Sequence, residues 1–103
     1  MSAAFRQLLW FIIAGTRGGA NRARIIEALR ARPCNANQLG TALELDYRTI
    51  RHHLDLLQRN GLLTCPAGGA YAAPYFLSPY LEANFAIFEE IRRKLSPKGG
   101  GFG

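Results

Sequence analysis

The stretch that decides the fold is residues 46–61, which read DYRTIRHHLDLLQRNG. Asp46 is a good N-cap residue, because its carboxylate can accept the free N–H groups of a first helical turn. Gly61 can adopt the left-handed conformation that ends many helices. Between them, apolar side chains recur at helical spacing and define one face: Ile50, Leu54 and Leu57. The stretch therefore predicts a helix over 47–60 with one buried face.

The opposite face of this helix is polar and mainly basic. Its members are Arg48, Arg51, His52, Asp55 and Arg59. A charged helix face is often only solvated, but this one lies opposite the apolar stripe. Tyr47 and His53 fall at the edges, where we expect His53 to be packed and hydrogen-bonded and His52 to point outwards.

The segment before this helix predicts a partner for it. Asn35 and Gln38, three residues apart, have the form of a capping box, which predicts a short helix over 35–44. Only Leu45 and Asp46 separate the short helix from the long one. Two helices joined by so tight a connection are typical of a helix-turn-helix.

Two more helices are predicted nearer the N-terminus. Residues 2–14 are apolar around almost the whole helical circumference, which favours burial from several sides. Glycines within residues 15–19 break this helix. The next helix is predicted over 21–32, with Asn21 as its N-cap and Pro33 as its stop.

The C-terminal half predicts a hairpin and a last helix. Residues 62–65 and 71–77 have the pattern of two short strands, joined around the glycine-containing turn 66–70. A helix from Pro79 to about Leu95 follows, with Ser78 as its N-cap. The order of elements is that of a winged helix-turn-helix.

Composition limits the class of protein. The chain has 103 residues, a net charge of +6 and 49% hydrophobic residues. This predicts one small basic domain and excludes intrinsic disorder. The longest apolar run, Leu8–Ala14, is far shorter than the roughly 20 residues of a membrane span. Cys34 and Cys65 are too few for a disulfide scaffold or a four-cysteine zinc site, so we expect a cytoplasmic protein.

The residues also resemble one family. Residues 47–63 resemble the recognition-helix signature of ArsR-type repressors, in which Thr/Ser-Val/Ile-x-His-His-Leu leads to Gly-Leu-Val/Leu. Four motifs resemble the small archaeal ArsR-like regulators in particular: GTRGG at 15–19, NANQL at 35–39, LDYRT at 45–49 and YFLSP at 75–79. The resemblance covers about residues 5–95 and implies a mainly α fold with a small β-hairpin wing.

The resemblance implies a set of residues that read DNA bases. Carried over to this sequence, they are Tyr47, Arg48, Thr49, Arg51 and His52. Elementary chemistry favours the same side chains, because arginine can bind guanine through two hydrogen bonds and threonine can contact a thymine methyl group. Metal sensors of the family carry Cys-x-Cys on the fourth helix or His and acidic ligands on the last helix. This chain has neither a cysteine on the fourth helix nor a histidine on the last, so we expect no metal and no cofactor.

A second set of residues is predicted to contact the DNA backbone. They are Asn35, Asn37, Arg22 and Arg59. Exposed amides at a helix N-terminus suit phosphate, although capping alone explains Asn35 equally well. Arg17, Arg22 and Arg24 flank the start of the second helix and are either backbone clamps or charges that confer solubility. The turn 66–70 has no lysine or arginine, which leaves phosphate contacts by the wing in doubt.

The apolar residues of the first and last helices predict a homodimer. Phenylalanines and aliphatic residues of these helices should not all be hidden in so small a domain. They are Phe5, Leu8, Phe11, Ile12, Phe85, Phe88 and Ile91. The predicted organisation is an N-terminal dimerisation helix with its linker (1–20), a DNA-binding domain (21–77), a C-terminal dimerisation helix (78–95) and a disordered tail (96–103).

The sequence thus predicts a homodimeric transcriptional regulator that binds a pseudo-palindromic site on double-stranded DNA. The alternative is a winged-helix protein-interaction module of the transcription or chromatin machinery that reads no sequence. A third possibility, a redox or ligand-sensing switch, needs a reactive thiol or a pocket that the sequence does not indicate. No catalytic set of residues is recognisable, so we expect no enzyme, and the sequence identifies no effector.

Overall fold

The computed structural model of the chain describes residues 3–68 and 72–95. The helices of this part are α1 (Ala3–Ile13), α2 (Gly19–Ala31), α3 (Ala36–Leu43), α4 (Tyr47–Arg59), α5 (Pro79–Ala83) and α6 (Phe85–Leu95). Strands β1 (Leu63–Thr64) and β2 (Phe76–Leu77) lie between α4 and α5. A mainly helical chain with a small antiparallel hairpin confirms the predicted fold class.

Local capping interactions fix α3 and α4 as predicted. The carboxylate of Asp46 accepts the backbone N–H of Thr49 at 2.7 Å. The capping box of α3 is complete, since Asn35 Oδ1 accepts the N–H of Gln38 at 2.7 Å and Gln38 Oε1 accepts the N–H of Asn35 at 2.8 Å. Gly61 follows the C-terminus of α4 with a φ of 75°. Each of these bonds joins residues close in sequence, so they could be predicted without the tertiary structure.

The predicted start of α2 is wrong. The helix begins at Gly19, with Gly18 at a φ of 90° as its N-cap residue, and not after Asn21. The physical reason is the close approach of α1, because a Cβ atom on Gly19 would lie 2.0 Å from the carbonyl oxygen of Ile13. Glycine therefore lets α2 begin directly against the end of α1. The predicted boundary between residues 20 and 21 falls inside α2.

The predicted last helix is two helices. α5 is capped by Ser78, whose Oγ accepts the N–H of Leu81 at 3.1 Å. Asn84 ends α5, since its side-chain amide donates to the carbonyl of Tyr80 at 2.9 Å and its backbone N–H also bonds that carbonyl. α6 starts at the next residue, Phe85. Helical periodicity alone predicts one continuous helix, and the hydrogen bonds of Asn84 interrupt it.

The hairpin is shorter than predicted. Leu63 pairs with Leu77 and Thr64 with Phe76 in antiparallel register. Tyr75 forms an additional isolated bridge with Cys34, just before α3. The end of the predicted turn (69–70), the first residue of the predicted second strand (71) and the predicted disordered tail (96–103) lie outside the described residues.

A single hydrophobic core unites the helices and the hairpin. The core includes five of the seven residues predicted for a dimer interface: Phe5, Ile12, Phe85, Phe88 and Ile91. The expectation that a domain of this size could not hide them is wrong, because α1 packs on both α2 and α6 and these side chains are buried within one chain. Leu8 is half-buried, and Phe11 is 59% exposed. No helix among the described residues is long and apolar enough to cross a membrane.

The contact between the start of α2 and the end of α1 gives a test by substitution. We expect Gly19→Ala to lower the free energy of unfolding by about 3 kcal/mol, since the new methyl group must displace backbone. The matched control is Gly61→Ala, which meets no atom within 4 Å and strains only a left-handed residue. That variant should lose about 1 kcal/mol. Chemical denaturation of both variants measures the difference, and equal losses would contradict the proposed close contact.

Candidate nucleic-acid interface

Helices α3 and α4 form a helix-turn-helix. Glu44 ends α3 in the left-handed conformation with a φ of 60°, and the N–H of Leu45 donates to the carbonyl of Gly40 at 3.0 Å. Asp46 then caps α4. The core side of α4 is the predicted apolar stripe of Ile50, Leu54 and Leu57. His53 is buried on the same side. The prediction that His53 is packed is confirmed.

The exposed side of α4 carries side chains predicted to contact DNA. Arg48, His52 and Arg59 are exposed and recur at intervals that place them along one line of the helix. Tyr47 is also exposed, at the first position of the helix. Thr49 is half-buried, and its backbone N–H is held by the cap. The two faces of α4 therefore separate as the sequence predicted.

The first turns of α3 and α4 meet at the surface. Asn37 and Tyr47 line one shallow hollow of about 240 Å³ between them, and Asn37 is exposed. Asn35 lies at the start of α3, where its side-chain oxygen is occupied by the capping box. Two of the predicted backbone-contact residues thus lie at the N-terminus of one helix, beside the start of α4.

Arg51 has partners within the chain. Its Nη1 donates to the hydroxyl oxygen of Tyr75 at 2.6 Å, and its Nη2 lies 3.4 Å from Oδ1 of Asp55. The side chain is half-buried. In this arrangement the guanidinium is directed to the base of the wing, whereas the sequence predicted that it projects freely from α4. Tyr75 was not singled out by the sequence, and the signal for it lies only in its tertiary contact.

The prediction that Arg22 contacts phosphate is wrong. Arg22 is 3% exposed, so its guanidinium lies inside the protein. Nε donates to the carbonyl of Ile12 at 3.0 Å, and Nη2 donates to Thr16 Oγ1 and to the carbonyl of Arg17. The sequence held a signal for this burial, because position 22 shares a helix face with the apolar residues at 25, 26 and 29.

The fourth partner of Arg22 lies on α4. Its Nη1 lies 3.1 Å from Nδ1 of His53, which acts as the acceptor because a guanidinium can only donate. Burial lowers the pKa of His53, and the neighbouring charge of Arg22 and then His52 lower it further. Burial also lowers the pKa of Arg22. A neutral His53 therefore connects the helix with the candidate DNA contacts to the junction of α1 and α2.

Metal ligands do not cluster in the part of the chain that the structure describes. No group of three or more His, Cys, Asp or Glu side chains there could hold a metal ion. Cys34 and Cys65 are both free thiols. His52 and His53 are adjacent in sequence but point to opposite environments, since His52 is exposed and His53 is buried.

Comparison with known proteins agrees with this geometry. Residues 20–66 match the family described as a helix-turn-helix domain. Along 97% of its length the chain is similar to a MarR family transcription regulator of known structure, with 32% identity, a TM-score of 0.61 and 67% of that chain covered. The chain belongs to the winged helix-turn-helix transcription regulators.

Two further comparisons complete the picture of this regulator. A probable transcriptional regulator from Pseudomonas aeruginosa shares the fold, with 24% identity, a TM-score of 0.58 and coverage of 88% of this chain and 74% of the other. No curated protein sequence matches the regulator. The family match extends from the start of α2 to just beyond β1, so it includes the whole helix-turn-helix.

The buried His53 predicts how the regulator's stability depends on pH. An unfolded histidine takes up a proton near pH 6.5, but the folded one does so only at lower pH. Below about pH 6.5 the unfolded chain binds more protons, so the free energy of unfolding should fall as the pH falls towards the folded pKa. Denaturation at several pH values above about 5, where most carboxylates stay ionised, measures this slope.

A pair of variants identifies the histidine responsible. His53→Asn keeps a hydrogen-bond acceptor but removes the titrating group, so we expect the slope in this window to shrink. His52→Asn, at the exposed neighbouring position, should retain most of the slope, because it removes only the smallest of the three causes that lower the pKa of His53. An unchanged slope in His53→Asn would rule out His53 as its source.

Proposed function

We propose that the regulator binds double-stranded DNA sequence-specifically as a homodimer, with α4 in the major groove. The observation that carries the proposal is the two-faced character of α4, whose apolar side is buried while Arg48, His52 and Arg59 line its exposed side. A helix with this division can enter a groove without exposing core residues.

The first turns of α4 supply the proposed base contacts. Arg48 is exposed and can bind both acceptors of a guanine edge. His52 lies one turn further along the same line. Tyr47 and Thr49 flank Arg48 at the start of the helix. Arg51, although also expected to read a base, is held by Tyr75 and Asp55.

The proposed phosphate contacts lie at both sides of these residues. Asn37 is exposed in the first turn of α3, where free N–H groups and the helix dipole favour an anion. Asn35 can offer its amide nitrogen while its oxygen keeps the cap. Arg59, exposed in the last turn of α4, is positioned for the backbone beyond the groove. These contacts position the protein but carry no sequence information.

The proposed dimer surface is the outer face of α1. Trp10 is 44% exposed and Phe11 is 59% exposed, in the last turn of a helix whose other side is packed on the core. Large aromatic side chains bury about 150–250 Å² each and dominate interfaces. A second copy of the chain, with its α1 against this α1, would cover both residues at once and would relate two α4 helices by a twofold axis.

The finer family assignment is also a proposal. The motifs at 15–19, 35–39, 45–49 and 75–79 support a place among ArsR-like regulators of the archaeal type. In the fold these motifs correspond to the junction of α1 and α2, the start of α3, the start of α4 and the start of α5 with the strand before it. The motifs therefore lie where the chain must turn.

One observation favours the alternative of a protein-interaction module. The whole hairpin segment, residues 62–77, contains no charged side chain. A wing without cations contributes little to DNA affinity, and such a surface also suits a protein partner. The binding experiment below distinguishes the two functions, since a protein-interaction module would bind all duplexes weakly and alike.

The DNA-binding proposal is tested with duplexes selected by the purified protein from a random library. We expect one enriched pseudo-palindrome with half-sites about 34 Å apart. If each subunit neutralises two or three phosphates, the slope of log K against log salt should be about −4 to −5. Fluorescence anisotropy at several salt concentrations measures it. Equal affinity for selected and random duplexes would contradict sequence-specific binding.

Two arginine variants separate the roles within that experiment. Arg48→Ala should lose about 1–3 kcal/mol per half-site on the selected sequence and much less on random DNA, because it removes one base contact from each subunit. Arg59→Ala should weaken both duplexes by a similar factor and reduce the magnitude of the salt slope by about 2, because the dimer loses one phosphate contact in each of its two subunits. If Arg48→Ala weakened both duplexes equally, its base-reading role would be wrong.

The dimer is tested by sedimentation at micromolar concentration, where we expect twice the mass of one chain. Phe11→Ser should give monomers, because it replaces the most exposed large apolar side chain of α1. The control is Phe76→Ser, an exposed phenylalanine on the hairpin, which should leave the dimer intact. A monomeric unmodified protein would remove the two-half-site arrangement.

A further inference from the structure

Tyr75 lies where the three elements nearest the candidate DNA contacts meet. Its side chain is 2% exposed, and it directly precedes β2. Its backbone N–H donates to the carbonyl of Cys34 at 2.8 Å, next to the N-cap residue of α3. Its hydroxyl accepts from Arg51 of α4 at 2.6 Å. One residue thus joins the hairpin, the start of α3 and the middle of α4.

The surroundings of Tyr75 and Arg51 stabilise the hydrogen bond between them. Burial raises the pKa of Tyr75, so the hydroxyl stays protonated and neutral at physiological pH. Its oxygen, inside the protein, would lose its partner if Arg51 turned towards a base. Leaving such a buried group unpaired is costly. Asp55, one helical turn beyond Arg51, lies 3.4 Å from the other Nη atom and holds the guanidinium from the second side.

The hairpin needs this support because it has no charge of its own. Residues 62–77 contain no Lys, Arg, Asp or Glu, so no ion pair with a DNA phosphate can set the position of the wing. β1 and β2 pair through only two residues each, and so short a hairpin is marginal by itself. Among the described residues, the charged side chain that hydrogen-bonds this segment is Arg51.

We propose that Arg51 and Tyr75 form one positioning unit that fixes the wing relative to the DNA-reading face of α4, and that Arg51 reads no base. The inference rests on the proposed DNA-binding function. It assigns sequence reading to the exposed residues of α4 and gives Arg51 a role within the protein. Loss of either partner should disturb DNA binding in the same way, through the wing.

The test is a double-mutant cycle with Arg51→Ala, Tyr75→Phe and the double variant, on the duplex selected by the unmodified protein. Each single variant should lower affinity by about tenfold per half-site, which corresponds to one charge-assisted hydrogen bond in each subunit. The double variant should lower it no further than either single variant. A base-reading Arg51 predicts a different outcome: Tyr75→Phe would leave affinity unchanged and only Arg51→Ala would weaken it, which would overturn the proposal.

The salt dependence separates positioning from phosphate contact. We expect the slope of log K against log salt to stay the same in both single variants, because neither removes a phosphate partner. A decrease in its magnitude of about 1.8, or about 0.9 per subunit, confined to Arg51→Ala would identify a direct phosphate contact and also overturn the proposal. Tyr80→Phe, at an exposed tyrosine on α5, is the matched control and should bind as the unmodified protein does.

Amide hydrogen exchange tests the unit without DNA. Arg51→Ala and Tyr75→Phe should both speed exchange of the backbone N–H at position 75 by about tenfold. This N–H donates to the carbonyl of Cys34. Unchanged exchange in both variants would overturn the proposal even if DNA binding fell. If the unmodified protein bound no DNA, the proposed function would fail, and the exchange rates would still decide whether the unit exists. Arg51 is half-buried, so Arg51→Ala keeps the test available if Tyr75→Phe unfolds.

Discussion

The guanidinium of Arg22 is the constraint on which the relative placement of α1, α2 and α4 depends. It lies inside the protein and donates to the carbonyl of Ile12, to the loop between α1 and α2, and to Nδ1 of His53 on α4. Its partners among the described residues are neutral, so its charge is stabilised by hydrogen bonds alone. A buried cation tolerates little displacement of its acceptors. Gly18 completes the arrangement, because a Cβ atom there would lie 2.8 Å from the ring of His53.

The bond between Arg22 and His53 holds one face of α4 against the core and leaves the opposite face at the surface. His53 and the apolar stripe face inwards, while Arg48 and His52 remain at the surface without competing for core contacts. The cap at Asp46 fixes where the helix begins, and the first turns of α3 and α4 adjoin at the hollow beside Asn37. Burial of His53 on the core side of α4 therefore goes together with exposure of Arg48 and His52 on the other side. Through the carbonyl of Ile12, the same buried guanidinium also connects α1 to the helix that carries the proposed reading surface.

Because the hairpin is uncharged, the cationic side chains of the regulator lie outside its wing. Residues 62–77 contain no lysine or arginine, and the hairpin is connected to α4 by the hydrogen bond between Tyr75 and Arg51. Several arginines, among them Arg22, Arg24 and Arg51, are held by partners within the chain, while Arg48 and Arg59 remain on the surface. Net charge alone thus overstates the number of cations available to a phosphate backbone.

The sequence by itself determined the helix-turn-helix: the caps at Asn35 and Asp46, the end of α4 and its apolar stripe follow from residues within a few positions of one another. The tertiary structure decided the roles of Arg22 and Arg51, whose partners His53 and Tyr75 lie 31 and 24 residues away. It also decided that most apolar residues of α1 and α6 belong to the core of a single chain, leaving Phe11 outside. Periodicity shows which side of a helix is apolar but not how much of that side its neighbours cover, because burial depends on contacts between segments distant in sequence.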